Sequence, residues 1–314
     1  QPTVRSRGLV VLRRLGGHRA DGRGVTDLIG RRASTPPVAL VIAGSDSGAG
    51  AGIQADLKAM SALGVFAMTV VTAVTAQNSA EVTLVHPVPT EVVDAQISAV
   101  LNDFEVRATK TGMLTTTATV RLIAARAESG DLPALVVDPV MVASTGRRLL
   151  DDGAVDAYRH GLLPHALVVT PNLFEAAILA GVEPLDETAA DVDTMADLAS
   201  RIHRLGATWV LVKGGHLPGV HSSGTSPAPD RVADVLFDGT DITILEQSRV
   251  DTRNNHGTGC SLASATAALL ASGHDVPAAV SRAKVFVHDA LEGAVHWDLG
   301  RGHGPLDPFG WSRH

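Results

Sequence analysis

Val38-Ala39-Leu40-Val41-Ile42-Ala43 is an unbroken apolar run that stops at Gly44, and residues 45–52 behind it form a glycine-rich turn. A strand apolar on both faces has to be covered on both faces, which is the situation of a parallel strand inside an α/β sheet. Residues 53–63 then place Ile53, Leu57, Met60 and Leu63 at helical spacing, with Gly64 as the stop. The same alternation continues outward from this first unit. Residues 65–76, 81–88, 106–110, 135–138, 167–170 and 208–213 read as strands. Helices are expected over 90–102, 115–129, 173–180, 188–205, 260–272 and 277–296. Residues 232–237 and 242–246, joined through Asp238-Gly239, form the clearest hairpin. The fold class is therefore α/β: an open, mostly parallel central sheet flanked by helices, with an antiparallel hairpin near one edge. Residues 37–314 show neither repeats nor an internal boundary and read as one domain. Residues 218–230, rich in Ser, Gly and Pro, read as a surface loop.

Composition narrows the function. At 45% hydrophobic and 19% charged, the chain has enough apolar material for a globular core. A single cysteine rules out an intramolecular disulfide framework and fits a reducing compartment such as the cytoplasm. No apolar run is long enough to span a membrane. Residues 1–36 hold eight Arg against Asp21 and Asp27, which leaves 18 basic and 31 acidic residues in 37–314. So acidic a body argues against sequence-independent nucleic-acid binding. The Arg-rich leader ends at Pro36-Pro37 and reads as a disordered extension, with an organelle-targeting segment as the other reading.

The polar residues fall where an α/β sheet puts its ligands, beyond the carboxyl ends of the strands. Those ends carry Gly44, Lys110, Asp138, Thr170 and Lys213. Lys110 and Lys213 are two of only four lysines, and a lysine in that position offers a point charge suited to phosphate. Asp138 and the stretch Thr170-Pro171-Asn172-Leu173-Phe174-Glu175 supply oxygens that suit a hydrated Mg²⁺, which takes few protein ligands. Glu175 has a second reading as the N3 residue of a helix-capping pair. Asn255-His256-Gly257-Thr258-Gly259-Cys260 is a glycine-rich turn leading into an Ala-rich helix, a place for an anion on unpaired N–H groups. Cys260 at that start is either a small packed hydrophobe or a thiol whose pKa the helix lowers. Gly50-x-Gly52-x-x-Ala55 matches a dinucleotide fingerprint loosely, but no acidic residue follows at the end of the second strand, so that reading is set aside. His86, His160, His165, His203, His274, His288 and His296 share no ligand spacing and are expected in the core or at the surface.

Several motifs, in order, resemble the hydroxymethylpyrimidine/phosphomethylpyrimidine kinases of thiamine synthesis. They begin with residues 43–58, Ala-Gly-Ser-Asp-Ser-Gly-Ala-Gly-Ala-Gly-Ile-Gln-Ala-Asp-Leu-Lys, and continue with Thr75-Ala76-Gln77-Asn78 and Lys110-Thr111-Gly112-Met113-Leu114. Val137-Asp138-Pro139-Val140-Met141, Thr170-Pro171-Asn172, Lys213-Gly214-Gly215-His216 and Asn255–Cys260 complete the set. The resemblance covers about residues 38–300. It implies a ribokinase-like fold and transfer from ATP, with Mg²⁺, to the pyrimidine's hydroxymethyl group and then to the monophosphate. It places the pyrimidine against Gly44, Asp56, Gln77, Met113 and Val140, with Asp56 and Gln77 reading its amino group and nitrogens. ATP falls to Asn172, Lys213 and Thr258, the metal to Asp138, Thr170 and Glu175, and the transfer itself to Gly257, Gly259 and Cys260. Cys260 is expected to help deprotonate the substrate hydroxyl, as thiolate or through hydrogen bonding. A homodimer fits the family. The rival readings are a pyridoxal kinase and, in another class, a non-catalytic pyrimidine-binding sensor.

Overall fold

The computed structural model describes residues 35–142, 149–151, 153–183, 191–215 and 231–313. The expectations for the leader up to residue 34, for His216 and for the 218–230 loop lie outside the described residues. The strands are β1 (Val38–Asp46), β2 (Phe66–Gln77), β3 (Val82–Pro87), β4 (Ala108–Thr111), β5 (Val136–Val137), β6 (Val168–Val169), β7 (Trp209–Val212), β8 (Arg231–Phe237) and β9 (Ile242–Ser248). They form one sheet in the order β3-β2-β1-β4-β5-β6-β7-β8-β9. From β2 to β7 the pairing is parallel. The expected β8–β9 hairpin is antiparallel and stands at one edge, and β3 closes the opposite edge antiparallel to β2.

Alternation along the inner strands sorts the core into two layers. Leu40, Ile42, Val137, Val169 and Val210 face one side. There they meet α2 (Thr90–Leu101), α3 (Thr117–Glu128), α5 (Leu173–Ala180) and α6 (Val192–His203), which contribute Val93, Ile97, Val120, Ile123, Leu179 and Leu198. Ala39, Val41, Val136, Val168 and Leu211 face the other. That layer is completed by α1 (Gly52–Ala62), α7 (Thr258–Ala271) and α8 (Val276–Ala294). Burial on both faces explains why the inner strands show no polar alternation.

Three local differences from the expected pattern have physical causes. β5 and β6 are shorter than their apolar runs, although Asp138 N–H still donates to Thr111 O at 3.0 Å and Thr170 N–H to Val137 O at 2.9 Å. The chain stays hydrogen-bonded as it leaves the sheet toward the strand ends. Asp191, expected inside a helix, instead caps α6 from Val192 by accepting from Thr194 N–H at 2.8 Å, and residues 188–190 of the expected helix lie outside the described residues. Residues 154–165, which carried no expectation, form a helical turn α4 (Ala154–Ala157) that runs through a wide turn (Tyr158–Leu162) into a tight one (Leu163–His165). Gly161 and Pro164 hide its periodicity, yet Tyr158, Leu162 and Leu163 are fully buried.

One ion pair ties the second layer to the sheet. Lys110 at β4 and Asp56 in α1 are both fully buried, and the ammonium donates to both carboxylate oxygens at 2.9 Å. Ser264 of α7 donates to the same carboxylate at 2.6 Å. Lys110 is thus bound to Asp56, not held ready for phosphate as its strand-end position suggested. Burial is the largest single effect on the Lys110 pKa and lowers it, but Asp56, Cys260 and Asp138 together raise the group above its ordinary value. Removing one partner of such a pair strands a charge in a dry interior. Lys110→Met is expected to cost about 3–5 kcal/mol, read as a lowered denaturant midpoint, and the double variant Asp56→Leu/Lys110→Met to recover much of that loss.

Candidate active site

The carboxyl ends of β1, β2, β4, β5, β6 and β7 open into a cavity of about 790 Å³. Gly44, Gln77, Met113, Val140, Asn172, Lys213, Glu175, Asp138, Gly257, Thr258, Gly259 and Cys260 all line it. Two expected residues do not. Asp56 is bonded to Lys110 and Ser264 behind the wall. Thr170 is fully buried behind Asp138, with its hydroxyl 3.4 Å from Asp138 Oδ1.

At one end the wall is small and apolar. Met113 lies over Gly44, and its backbone carbonyl accepts from Thr72 Oγ1 at 2.6 Å. Val140 and Gln77 complete that end. The other end is charged. Lys213 Nζ stands 3.2 Å from Asp138 Oδ1, and its side chain is 15% exposed. Glu175 completes a capping box on α5: Asn172 N–H donates to Glu175 Oε2 at 2.9 Å, and Glu175 N–H to Asn172 Oδ1 at 2.8 Å. The capping reading therefore holds, and the carboxyl still faces the cavity. Burial pushes Glu175 up to about 7 against the pull of Lys213, and Asp138 nearby adds to the rise.

Between the two ends lies the start of α7. Gly257 has φ +86°, and a Cβ there would fall 1.9 Å from Gly50 O, so the turn admits only glycine. A Cβ on Gly259 would fall 3.1 Å from Lys213 Nζ, which lets the ammonium sit against the helix start. The N–H groups of Gly259 and Cys260, in the first turn, have no intrahelical acceptor and add their partial positive charge to that of Lys213. Of the two readings of Cys260, its surroundings do not favour the helix-lowered thiol. Burial pushes its thiol up to about 12; Lys110 and the Gly52 N–H pull it down, and Asp56 and Asp138 add to the rise. It is a neutral thiol at physiological pH.

The site also includes residues that spacing did not single out. Asp46, at the end of β1, and His256, before α7, are 3% and 7% exposed and meet at 3.2 Å. Asp234 of β8 accepts from Gly214 N–H at 2.9 Å and from Lys284 of α8 at 2.5 Å, which fixes the turn behind Lys213. These pairs are 210 and 50 residues apart in sequence, so no local motif could show them. Among the described residues no cluster of three or more His, Cys, Asp or Glu could hold a metal alone, and no helix is long and apolar enough to cross a membrane.

Comparisons with known proteins agree with this geometry. A family model described as phosphomethylpyrimidine kinase matches residues 46–307. The hydroxymethylpyrimidine/phosphomethylpyrimidine kinase of Rhizobium meliloti is 48% identical over 272 residues, covering 87% of this chain and 97% of that protein. The Staphylococcus aureus pyridoxal kinase solved with AMP-PCP and pyridoxal is 34% identical, with a TM-score of 0.76 over 89% of this chain and 96% of that one. The Clostridium difficile phosphomethylpyrimidine kinase is 33% identical, with a TM-score of 0.66 over 81% of this chain and 99% of that one. With the sheet, the cavity and the α7 turn in place, the chain belongs to the phosphomethylpyrimidine kinase family of ribokinase-like kinases.

Proposed function

We propose that the cavity moves the terminal phosphoryl group of ATP onto the hydroxymethyl oxygen of 4-amino-5-hydroxymethyl-2-methylpyrimidine, and then onto the resulting monophosphate, for thiamine biosynthesis. Each turn forms one O–P bond, breaks one in ATP and releases ADP; the first turn also releases the hydroxyl proton, and the second uses a phosphate oxygen of the monophosphate as the acceptor. The observation that carries this reading is Lys213 Nζ against Gly259 at the start of α7, facing a small apolar pocket across one cavity. Phosphoryl transfer depends on positioning and on cations where charge develops, and this arrangement supplies both. The ring would lie against Gly44, Gln77, Met113 and Val140. The ATP phosphates would lie along Lys213, Thr258 and the N–H groups of 257–260, with Asn172 at their side.

Asp138 and Glu175 fit Mg²⁺. Both carboxyls face Lys213, and burial raises Glu175 to about 7, so a dication there would favour its ionised, ligating form. Bound there with ATP, it would neutralise phosphate charge. Thr170 would serve from behind, by holding Asp138. Cys260, as a neutral thiol, is suited to accept a hydrogen bond from the substrate hydroxyl, and in a loose transition state that proton leaves late.

A pyridoxal kinase is the second reading, supported by the likeness to the Staphylococcus aureus enzyme. Mg·ATP assays with hydroxymethylpyrimidine, its monophosphate and pyridoxal in parallel separate the two: both pyrimidines should turn over, with pyridoxal much slower. A preference for pyridoxal would move the enzyme to that class, and tight pyrimidine binding without transfer would make it a sensor.

We also assign the exposed face of the β2–β3 pair to a homodimer. Val74 and Leu84 are 51% and 60% exposed there, on the same face as Ala76 and His86. Light scattering should give the mass of a dimer, and Leu84→Asp that of a monomer. A cytoplasmic location suits the lone thiol.

The thiol gives a pH test. With Cys260 near 12 rather than its ordinary 9.0, its thiolate fraction at neutral pH falls roughly a thousandfold. Iodoacetamide should label the native protein slowly until strongly alkaline pH and label the urea-unfolded chain at an ordinary rate. Cys260→Ala should lower kcat about ten- to a hundredfold. Full turnover in that variant would leave positioning alone as the source of catalysis.

A further inference from the structure

Asp46, Gln77 and His256 meet on the cavity wall where β1 and β2 end. Asp46 Oδ1 accepts from Gly48 N–H at 2.8 Å, and Oδ2 from Gly50 at 3.1 Å and Ala51 at 2.8 Å. Burial raises this carboxyl, but the bonds from His256, Ala51 and Gly48 outweigh it and hold the group below its ordinary range. Asp46 is therefore ionised and can only accept. His256 Nε2, 3.2 Å from Oδ2, must carry a proton toward it.

The same Nε2 lies 3.1 Å from Gln77 Nε2, so two donors face each other. At the other end of the amide, Gln77 Oε1 stands 3.4 Å from Thr75 Oγ1, whose single proton goes to Ser45 O at 2.9 Å. Two acceptors face each other there. One half-turn of the amide repairs both contacts, since its oxygen and nitrogen occupy nearly equivalent positions and the network decides between them. The carbonyl then shares the single His256 Nε2 proton with Asp46 Oδ2, and the NH₂ donates to Thr75, leaving its second proton for the cavity that Gln77 lines. The imidazole itself has little room to move. Its backbone N–H donates to Gly304 O at 3.0 Å, and a Cβ on Gly50 would fall 2.4 Å from its Cδ2.

We propose that His256, held by Asp46 with a proton on Nε2, is a positioning residue that locks Gln77 to present an N–H donor to the substrate ring, and so sets ring specificity. The proposal rests on the pyrimidine-kinase reading of the cavity. An aminopyrimidine ring nitrogen has a free lone pair and accepts that proton. The pyridinium nitrogen of zwitterionic pyridoxal would meet it donor to donor, and a site built to pair one partner penalises the other.

The test compares wild type, His256→Phe and His256→Gln on hydroxymethylpyrimidine and pyridoxal. His256→Phe removes the donor in a similar volume. It should raise KM for the pyrimidine about tenfold with kcat within about twofold, and lower the pyrimidine-to-pyridoxal ratio of kcat/KM about tenfold. His256→Gln, which keeps an N–H at that reach, should restore most of the ratio. Equal losses on both substrates, or a fall in kcat alone, would overturn the proposal. The lock is read separately by ¹⁵N NMR of histidine-labelled protein, with the His256 signal identified by its loss in His256→Gln. A proton on Nε2 is expected, and an Nδ1-only tautomer would overturn the lock. A wild-type enzyme that phosphorylates no pyrimidine would remove the function and the specificity claim together, and the tautomer spectrum would still judge the lock.

Discussion

A lysine and an aspartate, both out of reach of water, decide how the second layer meets the sheet. Lys110 belongs to β4, Asp56 to α1, and the Ser264 hydroxyl that completes the carboxylate belongs to α7. Burying either charge alone would be costly, so the three elements are held in the one arrangement that satisfies both. That arrangement sets the start of α7 beside the β1–α1 turn, where Gly257 touches Gly50. The position of the Gly259 and Cys260 N–H groups follows from a pair that touches no substrate itself.

The same pair shapes the electrostatics of Cys260. A helix start and a nearby ammonium both favour a thiolate, but Lys110 is already neutralised by Asp56, and Asp138 adds a further negative charge. With the cation cancelled, burial prevails. The charged end of the cavity is arranged differently. Lys213 faces Asp138 and Glu175, and burial holds the Glu175 carboxyl near 7, so its charge responds to what binds there. An aminopyrimidine is neutral and ATP is not, and the cavity separates its apolar and ionic walls accordingly.

The sheet was legible in the sequence because burial on both faces leaves an unmistakable mark: the 38–43 run and the helix spacing behind it admit little else. The α7 turn was legible for a related reason, since only glycine tolerates the backbone at 257. What could not be read were the pairings across space. Asp56 and Lys110 are 54 residues apart, and a strand-end lysine looks the same whether it waits for phosphate or already holds a carboxylate. His256 carries no ligand spacing, because its partners Asp46 and Gln77 come from the first two strands. The state of the thiol stayed open in the sequence because the helix-start argument counts local dipoles and omits desolvation, which here is larger. The helical turns over 154–165 stayed hidden behind Gly161 and Pro164, residues that normally interrupt a helix.

All four lysines of the chain are engaged. Lys110, Lys213 and Lys284 are paired with Asp56, Asp138 and Asp234, and Lys58 donates to Ala49 O at 2.8 Å. The surface positive charge is carried by arginine instead. The folded body therefore offers amine-directed chemistry very little: acylating dyes and lysine-bridging crosslinkers have few side chains to find. Lys213, 15% exposed, lies in the cavity, where a nucleotide would compete for it.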